Sequence, residues 1–206
     1  MARTAENYPV KRIELLKIAE QVFMTKGYNE TNISDILEVA GISKGAFYHY
    51  FKSKEELLEA SIDSLMDDAI DFLMPAVENS KLSAMDKFEK FMRDKTVFQS
   101  SKKEYAVLLG KLMQADVFQY KYVLKSSTRL VPLLARIIEQ GINEGDFKVS
   151  YPLETAEIII RTVNSIPNSN YYDEYISNSE RQKKYVKALQ EVIGGTLGID
   201  PEKVII

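Results

Sequence analysis

Apolar residues recur at helical spacing along almost the whole chain, and no stretch alternates apolar and polar residues for long. Apolar positions three and four residues apart form one face of an α-helix, whereas a half-buried strand alternates with a period of two. Glycine and proline, which interrupt helices, occur only nine and six times. The pattern therefore predicts an all-α fold.

Turn and capping residues divide the first part of the chain into short helices. The predicted helices run from about Pro9 to Gly27, from Asn32 or Ile33 to Ala40, and from Lys44 to Tyr50. Gly27 and Gly41 suit the left-handed caps that end helices, and Ser43 suits an N-cap. Ser53 and Glu56 have the spacing of a capping box, which predicts a long fourth helix that ends before Pro75.

Longer amphipathic segments fill the rest of the chain. The predicted helices cover residues 82–99, 104–115 and 117–141, and the last of these contains Pro132, which we expect to kink or divide it. After a turn from Gly141 to Pro152, a further helix is predicted to end near Pro167. Residues 168–179 are polar and predict a loop before a final amphipathic helix.

Composition excludes several classes of protein. The 206 residues are 45% hydrophobic and 28% charged, which is ordinary globular usage, with no cysteine and a single histidine, His49. Thiolate chemistry, zinc fingers and multi-histidine metal sites are therefore excluded. No apolar run has membrane-spanning length and no signal peptide precedes the first helix, so we expect a cytoplasmic protein without a membrane partner or cofactor.

Charge is distributed unevenly along the chain. The net charge is −3, which taken alone argues against a nucleic-acid partner. Residues 1–54 hold eight basic and six acidic residues and carry +2, so the remainder carries −5. The positive end coincides with the segment of short helices and turns.

Residues 31–58 have the dimensions of a helix-turn-helix, with two short helices joined by Gly41, Ile42 and Ser43. The second helix begins with a hydroxyl, a cation and a residue without a side chain: Ser43, Lys44 and Gly45. Glycine in the first turn of a helix costs about 1 kcal/mol relative to alanine, a cost that makes sense where another backbone must approach closely. Duplex DNA that approaches this end of the helix fits the requirement, and we expect the side chains that follow to reach phosphates or base edges. These are Tyr48, His49 and Lys54.

The aromatic residues of this segment have a simpler alternative role. Phe47 and Phe51, with Ile36 and Ile42, are expected to form a local core. Tyr48 and His49 considered separately would also be packed or surface aromatics, and only their combination with Lys44, Gly45 and Lys54 favours DNA contact.

The segment GYNETNISDILEVAGISKGAFYHYFKSKEELL, together with KRIELLKIAEQVFMTKGY before it, resembles the DNA-binding domain of TetR-type transcriptional regulators. The resemblance covers roughly residues 10–60. Ile33 and Tyr50 depart from the family pattern, which frequently has threonine or serine at the first position and histidine at the second. The resemblance implies a three-helix DNA-binding domain at residues 1–54 and an effector-binding, dimerising helical domain at residues 55–206.

The family pattern also assigns residues to roles. The DNA contacts implied are Ser43, Lys44, Gly45, Tyr48, His49 and Lys54. With a cavity implied among the C-terminal helices, a small and largely apolar effector is expected to contact bulky side chains there: Phe88, Met92, Tyr105, Leu109, Met113 and Tyr122. The expected homodimer surface uses apolar stripes of the last two long helices: Ile159, Ile160, Val163, Tyr185, Leu189 and Val192.

Three functional hypotheses follow. The first is a homodimeric repressor that binds an inverted-repeat operator in double-stranded DNA and is released by the effector. The second keeps DNA binding but assigns regulation to a protein partner, or to none. The third, an enzyme, has little support because the chain lacks cysteine, a Glu-x-x-His motif and a phosphate-binding glycine loop.

Overall fold

The computed structural model describes residues 7–101, 103–112, 114–165 and 171–205, and these residues form helices and no strand. The α-helices are α1 Tyr8–Lys26, α2 Ile33–Ala40, α3 Lys44–Tyr50, α4 Lys54–Glu78, α5 Ala84–Ser101, α6 Lys103–Leu112, α7 Asp116–Glu144, α8 Pro152–Ser165, α9 Tyr172–Ser177 and α10 Ser179–Leu197. A short 3-10 helix, Pro201–Lys203, follows. No helix in the described residues is both long and apolar enough to cross a membrane. The all-α prediction is confirmed.

The first three helices have the predicted bounds. Gly27 ends α1 with φ at 86°, and Gly41 ends α2 with φ at 62°, both in the region that side chains disfavour. The carboxylate of Asp35 accepts a hydrogen bond from the Asn32 backbone N–H at 2.8 Å, which fixes the start of α2. The local sequence thus determines where these helices begin and end.

Two long helices continue through proline, although the sequence predicted that the first would end before Pro75 and that Pro132 would kink or divide the second. Helix α4 passes Pro75 and ends at Glu78, and α7 passes Pro132 without dividing and ends at Glu144. Each proline removes one backbone hydrogen bond. Burial on both sides offsets this loss, because Leu73 and Val77 flank Pro75 in the core, and Val131 and Leu133 flank Pro132.

The chain folds into two compact units. The first comprises the residues up to Asp67 and Ser100–Tyr122, and the second comprises Asp68–Gln99 and the residues from Val123 onward. In the first unit, α1 packs against α2 and α6. Phe23, Ile36 and Phe47 are fully buried there.

The second unit has one large hydrophobic core built from α4, α5, α7, α8 and α10. Gly141 lies in α7 directly under the Phe147 ring, so a β-carbon at this position would overlap the ring. The turn predicted to begin at Gly141 begins at Gly145 instead, where φ is 82°. The predicted loop at 168–179 is wrong in part, because α9 lies within it; its first residues fall outside the described part of the chain.

Candidate nucleic-acid interface

Helix α3 is held by its N-cap and by one buried face. The Ser43 hydroxyl accepts a hydrogen bond from the Ala46 backbone N–H at 3.2 Å. Phe47, Phe51 and Ile36 are fully buried, which confirms their predicted place in the core, whereas Ile42 is partly exposed. The orientation of α3 is therefore determined by side chains that do not face solvent.

The opposite face of α3 presents the residues predicted to contact DNA. Ser43, Lys44, Gly45, Tyr48 and His49 are all exposed, and Tyr48 retains 44% of its accessible surface. A β-carbon added at Gly45 would find only the Ser43 hydroxyl within 4 Å, at 3.9 Å. Nothing within the described protein therefore requires a glycine here, and the position is open to another molecule.

The C-terminal end of α3 rests on an aromatic residue that sequence reasoning did not single out. The Tyr8 hydroxyl donates a long hydrogen bond to the His49 carbonyl at 3.4 Å. The Tyr8 ring lies 5.3 Å from the His49 ring and 5.1 Å from the Tyr50 ring. Because Tyr8 begins α1, this contact ties the start of α1 to the end of α3. A tyrosine before Pro9 carries no signal of this role in the sequence.

Lys54 differs from its predicted role. Its ammonium donates hydrogen bonds to the backbone carbonyls of Tyr28 at 2.9 Å and Thr31 at 2.8 Å, and it lies 4.4 Å from the centre of the Tyr28 ring. Burial lowers the pKa of the Lys54 ammonium. The geometry therefore does not support a phosphate contact: the side chain fixes the α1–α2 turn to the start of α4.

Further contacts join α1, the end of α3 and the start of α4. The Arg12 guanidinium lies 4.3 Å from the centre of the Phe51 ring and 3.5 Å from the Glu56 carboxylate. The Ser53 hydroxyl accepts from the Glu56 backbone N–H at 3.0 Å, while the Glu56 carboxylate accepts from the Lys52 N–H at 2.8 Å. The predicted capping hydrogen bond at the Ser53 hydroxyl is confirmed. The Glu56 carboxylate, however, accepts from the Lys52 backbone N–H rather than from the Ser53 backbone N–H.

An ion pair joins the end of α1 to the start of α2. The Lys26 ammonium (Nζ) lies 2.8 Å from a carboxylate oxygen of Asp35 (Oδ1). The Lys26 ammonium, followed by the Asn32 N–H, lowers the pKa of the Asp35 carboxyl. This pair holds α2, the first helix of the helix-turn-helix, against the end of α1.

The residues predicted to contact an effector lie in different surroundings. Phe88 and Met92 belong to the core of the second unit and are essentially inaccessible. Tyr122 is buried in the first unit, where it stacks on Phe118 at 5.5 Å. Tyr105 and Leu109 lie in α6, but their side chains, like the whole of Met113, fall outside the described residues. An effector site formed by these six residues stays a prediction.

The predicted dimer surface needs correction. Ile159 and Ile160 are 2% and 0% exposed and pack in the core of their own unit, so they have no surface to offer a second chain. Leu189 is likewise buried, and Val163 packs partly against the core. Val192, also predicted at this surface, is 61% exposed, and Ile158, a neighbour of Ile159 that was not predicted, is 60% exposed.

Tyr185, the remaining predicted interface residue, has a partner within its own chain. Its ring stacks on Tyr175 of α9 at 4.3 Å, and burial raises the pKa of its hydroxyl. Within the described residues, no group of three His, Asp or Glu side chains is arranged to hold a metal ion.

Comparison with known families gives two matches along this chain. Residues 15–61 match the family described as bacterial regulatory proteins, tetR family. Residues 111–191 match the family described as Tetracyclin repressor-like, C-terminal domain. Together the two matches cover more than half of the chain.

Two relatives extend this similarity. The HTH-type transcriptional regulator YfiR of Bacillus subtilis is 27% identical over 198 residues, which are 90% of this chain and 95% of that protein. The HTH-type transcriptional repressor KstR2 of Mycolicibacterium smegmatis is 25% identical over 156 residues, 73% of this chain and 74% of that protein.

Solved structures share the fold. The structure of RolR in complex with the ligand resorcinol matches with a TM-score of 0.67 and 16% identity, covering 97% of this chain and 93% of that one. GusR of Salmonella enterica matches with a TM-score of 0.63 and 17% identity, covering 91% and 95%. At these identities the likeness concerns the fold alone.

Proposed function

Because this chain belongs to the TetR family of bacterial transcriptional regulators, we propose that it is a repressor that binds an inverted-repeat operator as a homodimer and is released by a small, largely apolar effector. The observation that carries the DNA-binding part is the exposed face of α3, which presents Lys44, Tyr48 and His49 together with Gly45, a residue without a β-carbon. A helix presented in this way fits the major groove.

The contacts proposed on α3 divide into two kinds. Lys44 supplies a charge for a phosphate, whereas Tyr48 and His49 offer a hydroxyl and ring nitrogens to base edges. Gly45 allows the DNA backbone to approach the start of the helix. Lys54 belongs to neither kind because its ammonium is held by carbonyl groups.

The phosphate contact is tested by the salt dependence of operator binding. Lys44→Ala should weaken binding on all sequences and reduce the slope of log affinity against log salt by about one. Lys187→Ala, which removes the same charge from an exposed position on α10, is the matched control and should leave the slope unchanged. Equal slopes for Lys44→Ala and the unsubstituted protein would place Lys44 off the DNA. The operator itself is first selected from random duplexes.

The homodimer is proposed to use the exposed apolar residues of α8 and α10, Ile158 and Val192. Two-fold symmetry in the protein requires two half-sites about 34–36 Å apart, hence an inverted repeat. Ile158→Glu combined with Val192→Glu should give a folded monomer that loses operator binding. Ile160→Glu, which buries an unpaired charge in the core, should unfold the protein instead. A doubly substituted protein that stays dimeric would refute this surface.

The repressor role is supported by a relative, the repressor KstR2, and release by an effector is supported by RolR, which holds resorcinol within the same fold. The alternative is regulation by a protein partner. Titrating operator-bound protein with small molecules separates the two, because an effector must bind the free protein more tightly than the DNA-bound protein. If ligands bind without changing operator affinity, the effector mechanism fails and the DNA-binding assignment stands.

A further inference from the structure

Three aromatic side chains form a cluster where the start of α1 meets the end of α3. The centre of the Tyr8 ring lies 5.3 Å from that of His49 and 5.1 Å from that of Tyr50, and the His49 and Tyr50 centres lie 5.0 Å apart. Tyr8 and His49 meet edge to face, with 88° between the ring planes. Aromatic pairs favour this geometry at these separations. The imidazole of His49 therefore packs against two rings although the residue is exposed.

The same tyrosine supports the backbone at the end of α3. The last carbonyl groups of a helix have no partner within it. Gly27 and Gly41 end α1 and α2, whereas α3 is followed by Phe51 in an extended conformation. The His49 carbonyl accepts a hydrogen bond from the Tyr8 hydroxyl at 3.4 Å. Because this bond is long, we expect the ring contacts to contribute more to the position of His49.

The orientation of His49 matters because a base contact depends on the direction of a ring nitrogen. A hydrogen bond weakens steeply as its angle departs from linearity. A surface side chain without contacts moves among several rotamers, and ordering it on binding costs free energy. The rings of Tyr8 and Tyr50 restrict this rotation before DNA is bound.

We propose that Tyr8 is a positioning residue for DNA recognition: its ring orients the His49 imidazole toward a base edge and so determines the base-pair preference at the position that His49 reads. The inference rests on the proposed contact between His49 and a base. It differs from a contact between Tyr8 itself and a phosphate, because a phosphate contact carries no sequence information and acts equally on all duplexes.

The test measures how strongly each protein prefers one base pair over another. The operator selected with the unsubstituted protein is changed at one base pair at a time, and the affinity of each duplex is measured by fluorescence anisotropy. His49→Ala identifies the base pair that His49 reads, where the unsubstituted protein should show a preference of about tenfold or more. Tyr8→Ala should remove most of the preference at that base pair and leave the preferences at other base pairs unchanged.

Three further variants show how Tyr8 acts. Tyr8→Phe keeps the ring contacts and should keep the preference. In a protein that already carries His49→Ala, adding Tyr8→Ala should change no preference, because the residue through which Tyr8 acts is absent. Tyr120→Ala, which removes a tyrosine ring that is 72% exposed on α7 of the same unit, is the matched control and should keep the preference.

The preference at a base pair is insensitive to a loss of folded protein. It is a ratio of two affinities measured on one preparation, so a fraction of unfolded protein affects both and cancels. A general distortion of α3 would change the preference at every base pair that the helix contacts. Only a role through His49 confines the change to one position.

The outcomes separate the positioning role from the proposed function. If Tyr8→Ala keeps the preference at the base pair read by His49, or weakens binding to all duplexes equally, the positioning role is refuted and the contact of His49 stands. An effect of Tyr8→Ala on preference that persists without His49 also refutes the role. If His49→Ala changes the preference at no base pair, the proposed base contact is refuted and the positioning role with it. A protein that selects no duplex would refute the proposed DNA binding itself.

Discussion

Replacing Lys95, which is only 8% exposed on α5, should make the free protein more stable. The ammonium has a pKa of about 8 in the folded protein and 10.5 ordinarily, a difference of about 2.5. Because each unit of pKa corresponds to 1.36 kcal/mol, the buried charge costs about 3 kcal/mol at pH 7. Lys95→Met removes that charge and keeps a side chain of similar size, so the free energy of unfolding should rise by about this amount.

The sign of the pH dependence follows from the same values. A base whose pKa is lower in the folded state destabilises the fold fully below that pKa and less as pH rises toward the unfolded value. The advantage of Lys95→Met should therefore be constant below about pH 8 and fall to roughly 1 kcal/mol near pH 10.

The assay is urea unfolding of both proteins at equal concentration, without ligand, at several pH values from neutral to alkaline. Lys87→Met is the control: it should lack the gain, because its ammonium is hydrogen bonded to Gln140. If Lys95→Met is no more stable than the unsubstituted protein at pH 7, or if its advantage does not change between pH 8 and pH 10, Lys95 does not carry an uncompensated charge.

Further predictions concern the DNA-binding unit. Gly45→Ala should raise the free energy of unfolding by up to about 1 kcal/mol while weakening operator binding, measured by urea unfolding and fluorescence anisotropy; normal operator affinity would show that no backbone approaches there. Lys54→Met should lower the free energy of unfolding by about 1–2 kcal/mol through loss of its bonds to the Tyr28 and Thr31 carbonyls. The slope of log operator affinity against log salt should not change for this variant, and a lower slope would show that Lys54 does contact a phosphate. Asp35→Asn should destabilise the protein at neutral pH, and the difference should vanish as acid protonates Asp35 below its lowered pKa; a difference that persists in acid would show that the carboxylate charge is not responsible.

The bounds of the short helices could be predicted because local chemistry determines them. Ser43, Gly27 and Gly41 act within one turn of their own position, and the structure places the helix ends there. The proline signals did not end α4 at Pro75 or divide α7 at Pro132, because burial of the residues that flank each proline outweighs the loss of one hydrogen bond.

The site was predicted less completely. The exposed residues of α3 follow from the helix-turn-helix pattern, but the role of Lys54 depends on carbonyl groups more than twenty residues away, which no local pattern reveals. Apolar spacing could not separate core from interface at Ile159 and Ile160.

Gly45 and Gly141 are both glycines, but different requirements keep a side chain out of the two positions. Gly141 lies under the Phe147 ring, so any side chain there disturbs the core, and the position is constrained for as long as the fold is needed. Gly45 meets no such neighbour, and almost any other residue would favour its helix more. In a lineage released from selection for DNA binding, Gly45 would be replaced early and Gly141 would persist. In descendant sequences, a retained Gly141 would therefore indicate that the protein still folds, and a retained Gly45 would indicate that it still binds its operator.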